Sequence, residues 1–287
     1  MPSYRFCRPD DIPFLVRAVN ECYAVHFPGM APMTVEGFRR EMKELDLWAS
    51  SCLVAAADER PVAVLTGTKR EAETLISRLG VRPGELRRGH GGHLVTSLSQ
   101  KLAVLGPPRL VAEVPAELPG AVAFFERLGW RREASFRDWL RPAAAGAAEA
   151  VPAGLVAPAT VDQLAAAGAL EVPPGAAWLR TRKTLVNRKD GLRAAAVASP
   201  DRIEAWVVVD PEAADGAAEV VGFGAASEDR RELLLGALLR HLIAEVPARP
   251  VRLARQAPDE LPEPLLASLG FAPDREYHRF AAEAKAL

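Results

Sequence analysis

Net charge is nearly absent from this chain. Its 287 residues carry 36 Lys and Arg against 37 Asp and Glu, a formal charge of −1. Neutralising a phosphate backbone takes a net basic face, so a dedicated nucleic-acid binder is excluded, while a local basic pocket for one phosphorylated ligand is not. Long apolar runs are missing too. None approaches the roughly 20 residues of a membrane span, so no membrane partner is expected. The opening MPSYRFCRPDD has no charged lead followed by an apolar stretch, and no secretory signal is expected from it. Cysteine is scarce. Cys7, Cys22 and Cys52 form an odd, widely spaced set that fits neither a disulfide framework nor a zinc pattern, which points to a reduced, cytoplasmic setting.

What is present divides in two. At roughly 150 residues per domain the length suggests two domains, and a hydrophobic share of 49% gives each an ordinary core. Residues 141–154 (RPAAAGAAEAVPAG) are built from Ala, Pro and Gly with no aromatic anchor. They read as a linker between a domain at 1–140 and another at 155–287, a short Ala-rich surface helix being the alternative. The two sides look like copies of one unit. Leu128-Gly129-Trp130 matches Leu269-Gly270-Phe271 at an offset of 141, as do Phe136 with Tyr277 and Trp139 with Phe280. The same offset lays Leu94, Leu98 and Leu102 on Leu235, Leu239 and Ile243, and 110–114 on 251–255.

Within the first copy, strand patterns at 4–7, 51–57, 61–66, 74–81, 109–114 and 132–140 alternate with helical spacing up to 20 and at 35–47, 91–105 and 120–128. Asp10 or Asp11 is placed to cap the first helix. The expected fold is α/β: two tandem domains, each a mixed, mostly antiparallel sheet flanked by helices.

The stretch from Val81 through Arg87, Arg88, Gly89, His90, Gly91 and Gly92 to His93 joins a strand to an amphipathic helix. Three glycines in four positions let backbone N–H groups approach a ligand, and a helix start adds unpaired donors and partial positive charge. With the arginine pair, this suits a diphosphate. A Gly-rich connector with two solvated arginines is the plain alternative. No Gly-Lys-Ser/Thr follows, so this is no nucleotide-hydrolase P-loop, and the three-glycine dinucleotide spacing is absent.

Val81-x-Pro83 followed by Gly89-x-Gly91, and then Phe124-Phe125-x-x-Leu128-Gly129-Trp130 about 35 residues on, resemble the two motifs of the GNAT-type N-acyltransferases. The resemblance covers 4–140, and 155–280 as a weaker copy, in the manner of tandem members. It implies acetyl-coenzyme A as co-substrate, with its diphosphate on Arg87, Arg88, Gly89, His90, Gly91 and Gly92. It also implies an oxyanion donor among the N–H groups of Leu79, Gly80 and Val81, and Phe125 beside the leaving thiolate. Three positions depart from the family pattern: Leu86 stands where Arg or Gln is usual, Leu118 where an Asn often holds the pantetheine arm, and Phe125 where many members carry a Tyr acid.

Direct attack by an amine needs a proton acceptor. Candidates are Glu113, which interrupts an apolar strand, Glu73, Asp138, and Glu21 or His26 near the first helix; for each, an exposed surface role is the alternative. His90 and His93 lack a third metal ligand, so no metal is expected. Cys22 reads as a small buried hydrophobe rather than a nucleophile. In the second copy Gly89 and Gly91 map to Arg230 and Glu232 beside Glu228 and Asp229, so the cradle is lost there and that half reads as structural or substrate-shaping. The implied activity is acetyl transfer to a primary amine of a small molecule or peptide, by a monomer or homodimer. A non-catalytic acyl-coenzyme A sensor or scaffold, and a ligand-free structural module, are the competing readings.

Overall fold

The strand and helix periods of the first half reappear nearly residue for residue in the computed structural model, which describes residues 2–143, 154–213 and 216–285. The expected linker falls for the most part outside these. Its first residue does not: Arg141 is buried at the end of a strand, and its Nε donates to the Leu269 carbonyl at 3.0 Å.

Two compact units form, and they do not divide at 141–154. The first takes Met1–Val114, Leu118–Glu133 and His278–Leu287; the second takes Pro115–Glu117 and Ala134–Tyr277. Each copy therefore completes the other's sheet. These compact units differ from the expected division at 1–140 and 155–287, because β6 pairs with a strand some 110–119 residues further along the chain.

In the first unit, β1 (Ser3–Phe6), β2 (Leu53–Ala57), β3 (Arg60–Lys69) and β4 (Glu73–Val81) run antiparallel in that order, and β5 (Arg109–Pro115) joins β4 in parallel. The end of β12 (Ala272–Glu283) lies next to β5. One face carries α1 (Ile12–Cys22) and α2 (Val35–Leu45). Ile12, Leu15, Val16, Val19 and Cys22, at helical spacing, pack on Val54 and Val64. The Asp11 carboxylate accepts the Arg8 N–H at 2.7 Å, which fixes the turn into α1. On the other face, α3 (His90–Leu105) lays Leu94, Val95, Leu98 and Leu102 on Leu65, Ile76, Leu110 and Ala112, beside α4 (Pro119–Arg127).

The second unit repeats the plan. Its sheet runs β6 (Arg131–Arg141), β11 (Val251–Gln256), β10 (Ala218–Ala225), β9 (Ile203–Asp210), β8 (Arg193–Ala198), β7 (Ala157–Ala159), with α5 (Val161–Ala166), α6 (Arg182–Asn187), α7 (Glu228–Glu245) and α8 (Glu263–Ser268). Only β10·β11 is parallel among the pairs around β8, β9, β10 and β11.

The strands that change units carry opposite charges at matching positions of the repeat. On β12, Arg279 is 1% exposed in the first unit, with Glu73 at 2.6 Å, Glu133 at 2.8 Å and Glu113 at 3.5 Å. On β6, Asp138 is buried in the second unit and accepts the Arg255 N–H at 2.8 Å. Burial raises the Asp138 carboxyl above the ordinary range, against the pull of Arg255 and Arg252.

Candidate functional site

An extra residue in β4 opens the sheet. Thr66 faces Arg78 and Gly67 faces Ile76, so Ser77 is the bulge; its hydroxyl donates to the Thr66 carbonyl at 3.1 Å. The β4·β5 ladder runs from Glu73–Arg109 to Ile76–Ala112 and goes no further, although both strands continue. A cleft thus begins at Ser77. Beyond it the Arg82 N–H donates to Val62 of β3 at 2.9 Å. Strand alternation then turns the N–H groups of Leu79 and Val81 the other way, into the cleft, while that of Gly80 faces β3.

Eight residues, 82–89, lead from β4 to α3. Arg87 has φ +61 and Gly89 φ +85, two left-handed residues that fold the loop back onto the helix start. His93 donates to Gly89 at 3.0 Å as the first helical bond, so the N–H groups of His90, Gly91 and Gly92 begin α3 without helical acceptors. A Cβ added at Gly89 or Gly92 would meet nothing within 4 Å, whereas at Gly91 it would lie 3.4 Å from the Phe124 ring. The backbone is therefore open to a ligand on one side and sealed by Phe124 on the other. Arg87 and Arg88 are exposed, Arg88 donating to Glu85 at 2.8 Å. Open glycines, a helix start and two cations fit a diphosphate.

The end of α1 covers the other side of β4. A Cβ on Gly80 would sit 2.3 Å from the Cys22 carbonyl and 2.7 Å from the Tyr23 Cα, so only glycine allows the helix this close. The turn that follows brings His26 over, and its Nε2–H donates to the Val81 carbonyl at 2.7 Å. That bond leaves Nδ1 as the basic nitrogen. Glu21 is ion-paired with Arg82 and with Arg17. Burial pushes the Cys22 thiol up to about 11, which removes it as a nucleophile.

Residues 17–130 match the acetyltransferase (GNAT) family model. That stretch of the first unit is GNAT-like. Among solved structures, a GCN5-related N-acetyltransferase from Sphaerobacter thermophilus is similar over 100% of this chain and 97% of its own, at 17% identity and a TM-score of 0.70. A tandem GNAT protein from the clavulanic acid biosynthesis pathway is similar over 100% of both chains, at 22% identity and 0.69. A GCN5-related N-acetyltransferase from Kribbella flavida covers 99% of this chain and 71% of its own, at 16% and 0.61. These likenesses establish the fold of the whole chain as tandem GNAT. No curated protein matches it in sequence.

Glu73, Glu113 and Asp138, expected as bases, have other work. Glu73 holds Arg279 and Arg109, and it stands at the far end of β4 from the glycine loop, roughly 26 Å along the strand at about 3.3 Å per residue. Glu113 is ion-paired with Arg279, and Asp138 belongs to the second unit. A lone charge in an apolar strand reads alike for a base and for half of a buried ion pair, and the missing half was over 140 residues away. Phe125, expected beside the thiolate, is a core residue instead, stacked on Phe280 at 5.7 Å and edge-on to Trp130 at 4.9 Å. The ring at the loop is its neighbour Phe124. Among the described residues no group of three or more His, Cys, Asp or Glu is placed to hold a metal ion, and no helix is long and apolar enough to cross a membrane.

The second unit keeps the bulge but not the cradle. Val221 is the extra residue of β10, which puts β10 on β4 at an offset of 144 rather than 141. Only two residues, Ala226 and Ser227, separate β10 from α7, so the loop itself is gone, beyond the substitutions at Arg230 and Glu232. The β10·β11 ladder ends at Val220–Leu253. Across the gap lies Arg180, 4% exposed, donating to the Arg255 carbonyl at 3.1 Å, ion-paired with Glu260 and 4.4 Å from the centre of the Phe223 ring.

Proposed function

We propose that the first unit binds one acetyl-coenzyme A and transfers its acetyl group to the primary amine of a small molecule or peptide, by direct attack with both substrates bound. The observation that carries this reading is the open backbone at Gly89 and Gly92, at the start of the helix that follows the strand whose pairing with β5 ends at Ile76. The diphosphate is held by the N–H groups of His90, Gly91 and Gly92 with Arg87 and Arg88. The N–H of Leu79 or Val81 stabilises the oxyanion as the amine adds to the thioester carbonyl. His26, with Nε2–H on Val81, takes the amine proton at Nδ1 and returns it to the departing thiolate, so that no phenol is needed where Phe125 stands. The filled gap and missing loop of the second unit support a stoichiometry of one.

Calorimetric titration with acetyl-coenzyme A tests this. One equivalent is expected, and Gly92→Glu, which enters open space and places an anion in a helix's first turn, is expected to weaken binding about ten- to a hundredfold without unfolding the chain. Two equivalents, or unchanged affinity in folded Gly92→Glu, refutes the assignment. His26→Gln should lower thiol release in an amine screen while leaving coenzyme affinity alone.

A further inference from the structure

Beneath the glycine loop lies a group of side chains that the transfer reaction does not use. His90, the first residue of α3, has its ring buried, with 7% of the side chain exposed. Its Nδ1 is 2.6 Å from the Tyr4 hydroxyl on β1, and the Tyr4 ring lies 3.9 Å from that of His93, centre to centre, tilted by 45°. Its Nε2 is buried without a hydrogen-bond partner, 3.7 Å from Glu85 Oε2. The same Oε2 accepts from Arg88 Nη1 at 2.8 Å. One carboxylate oxygen therefore stands between two claimants. It is engaged by the exposed one, Arg88, and falls just short of the buried one.

We infer that Glu85 and His90 couple diphosphate binding to the uptake of a proton. The inference rests on the reading of 82–92 as the diphosphate site. Arg88, whose side chain is 64% exposed, is free to turn from Glu85 to a diphosphate at the start of α3, a stronger, bidentate partner for a guanidinium. Glu85, 29% exposed at its side chain, then faces the buried imidazole with its cation gone. A proton taken from solvent resolves this. The imidazolium donates from Nδ1 to the Tyr4 oxygen and from Nε2 to Glu85, and both of its nitrogens are satisfied. It also places a positive charge in the first turn, under the bound anion. Dissociation returns the proton to solvent and Arg88 to Glu85. The charged and titratable groups facing the ring are Tyr4 from β1, His93 from α3, Glu85 from the turn after β4, and, through Glu85, Arg88.

Isothermal titration with dephospho-coenzyme A tests this, because that ligand keeps the diphosphate but has no phosphomonoester to titrate near neutrality. Measured in imidazole, Tris and cacodylate buffers at pH 7, the binding enthalpy is expected to vary with the buffer's ionisation enthalpy, with a slope of about half a proton taken up per ligand. Affinity should then fall about threefold from pH 7 to pH 8. Glu85→Gln, which leaves the ring and its tyrosine in place, should bind with no buffer dependence, and His90→Asn likewise. A buffer-independent enthalpy in the wild-type protein overturns the coupling and leaves the diphosphate site standing, as does a slope that survives in His90→Asn. Absence of any binding overturns the diphosphate site, and the coupling with it.

Discussion

Replacing Arg279 with Met should be the most damaging single change in the first unit. The guanidinium is almost fully buried and touches three carboxylates: Glu73, Glu133 and Glu113. Removing one partner of a buried ion pair costs about 3–5 kcal/mol, mostly because charge is left behind in low dielectric. Here Arg109 still serves Glu73 and Glu133, so the lower end applies, about 3 kcal/mol. At about 2–4 °C per kcal/mol for a chain of this order, that is a fall of roughly 6–12 °C in Tm. Acidity adds a second signature. Burial works against the Glu133 charge, but hydrogen bonds from Arg279 and Arg109 outweigh it and hold the carboxyl below its ordinary range. Its stabilising share is present above the unfolded-state value and is lost as pH falls through the folded-state value. The gap in Tm between wild type and Arg279→Met should therefore narrow as pH drops below the ordinary glutamate range, and Arg279→Met combined with Glu113→Gln should recover part of the loss. Scanning calorimetry at several pH values measures all three. A Tm within about 2 °C of wild type at pH 7 would show that the guanidinium does not anchor the strand.

Two further outcomes follow from the geometry. Gly80→Ala puts a methyl group against the Cys22 carbonyl and the Tyr23 Cα, neither of which can swing away; a loss of about 1–3 kcal/mol is expected, with a larger fall in transfer than in coenzyme affinity, by denaturant titration and kinetics together. Asp138 and Glu219 of the second unit behave opposite to Glu133. Burial raises both carboxyls, so their contribution is complete below the unfolded-state value and declines as pH rises through the folded-state one. Asp138→Asn, which keeps an oxygen for the Arg255 N–H, should flatten the stability profile between the ordinary aspartate range and neutrality. A profile that keeps its slope would clear Asp138 of that cost.

Secondary structure was legible because it is local. The face of α3 made by Leu94, Leu98 and Leu102, and the strand-to-helix glycines before it, follow from spacing alone, and the repeat at offset 141 exposes the duplication. Partnership between distant strands is not written in any window. Glu73, Glu113 and Asp138 were visible as charges in strands, but the groups they face lie on strands contributed by the other copy. One signal was available: at offset 141, Asp138 corresponds to Arg279, and a sign reversal at a matching buried position is what strands closing two different units would need. That Phe125 packs in the core while Phe124 meets the loop is hidden for a smaller reason. Adjacent helix residues point about 100° apart, and the motif does not say which of the two faces the loop.

Synthesis on the ribosome meets the exchanged strands in an awkward order. When residue 133 emerges, the first unit has its helices and five of its strands, but the strand that carries Arg279 will not be made for another 145 residues. At about 5–20 residues per second this interval lasts roughly 7–30 s, during which β5 has an open edge and three glutamates wait for their guanidinium. The first unit thus finishes folding only after the second unit has been translated. A chain broken off anywhere in between yields neither half complete, and the gene cannot be shortened to its first unit by a single stop codon.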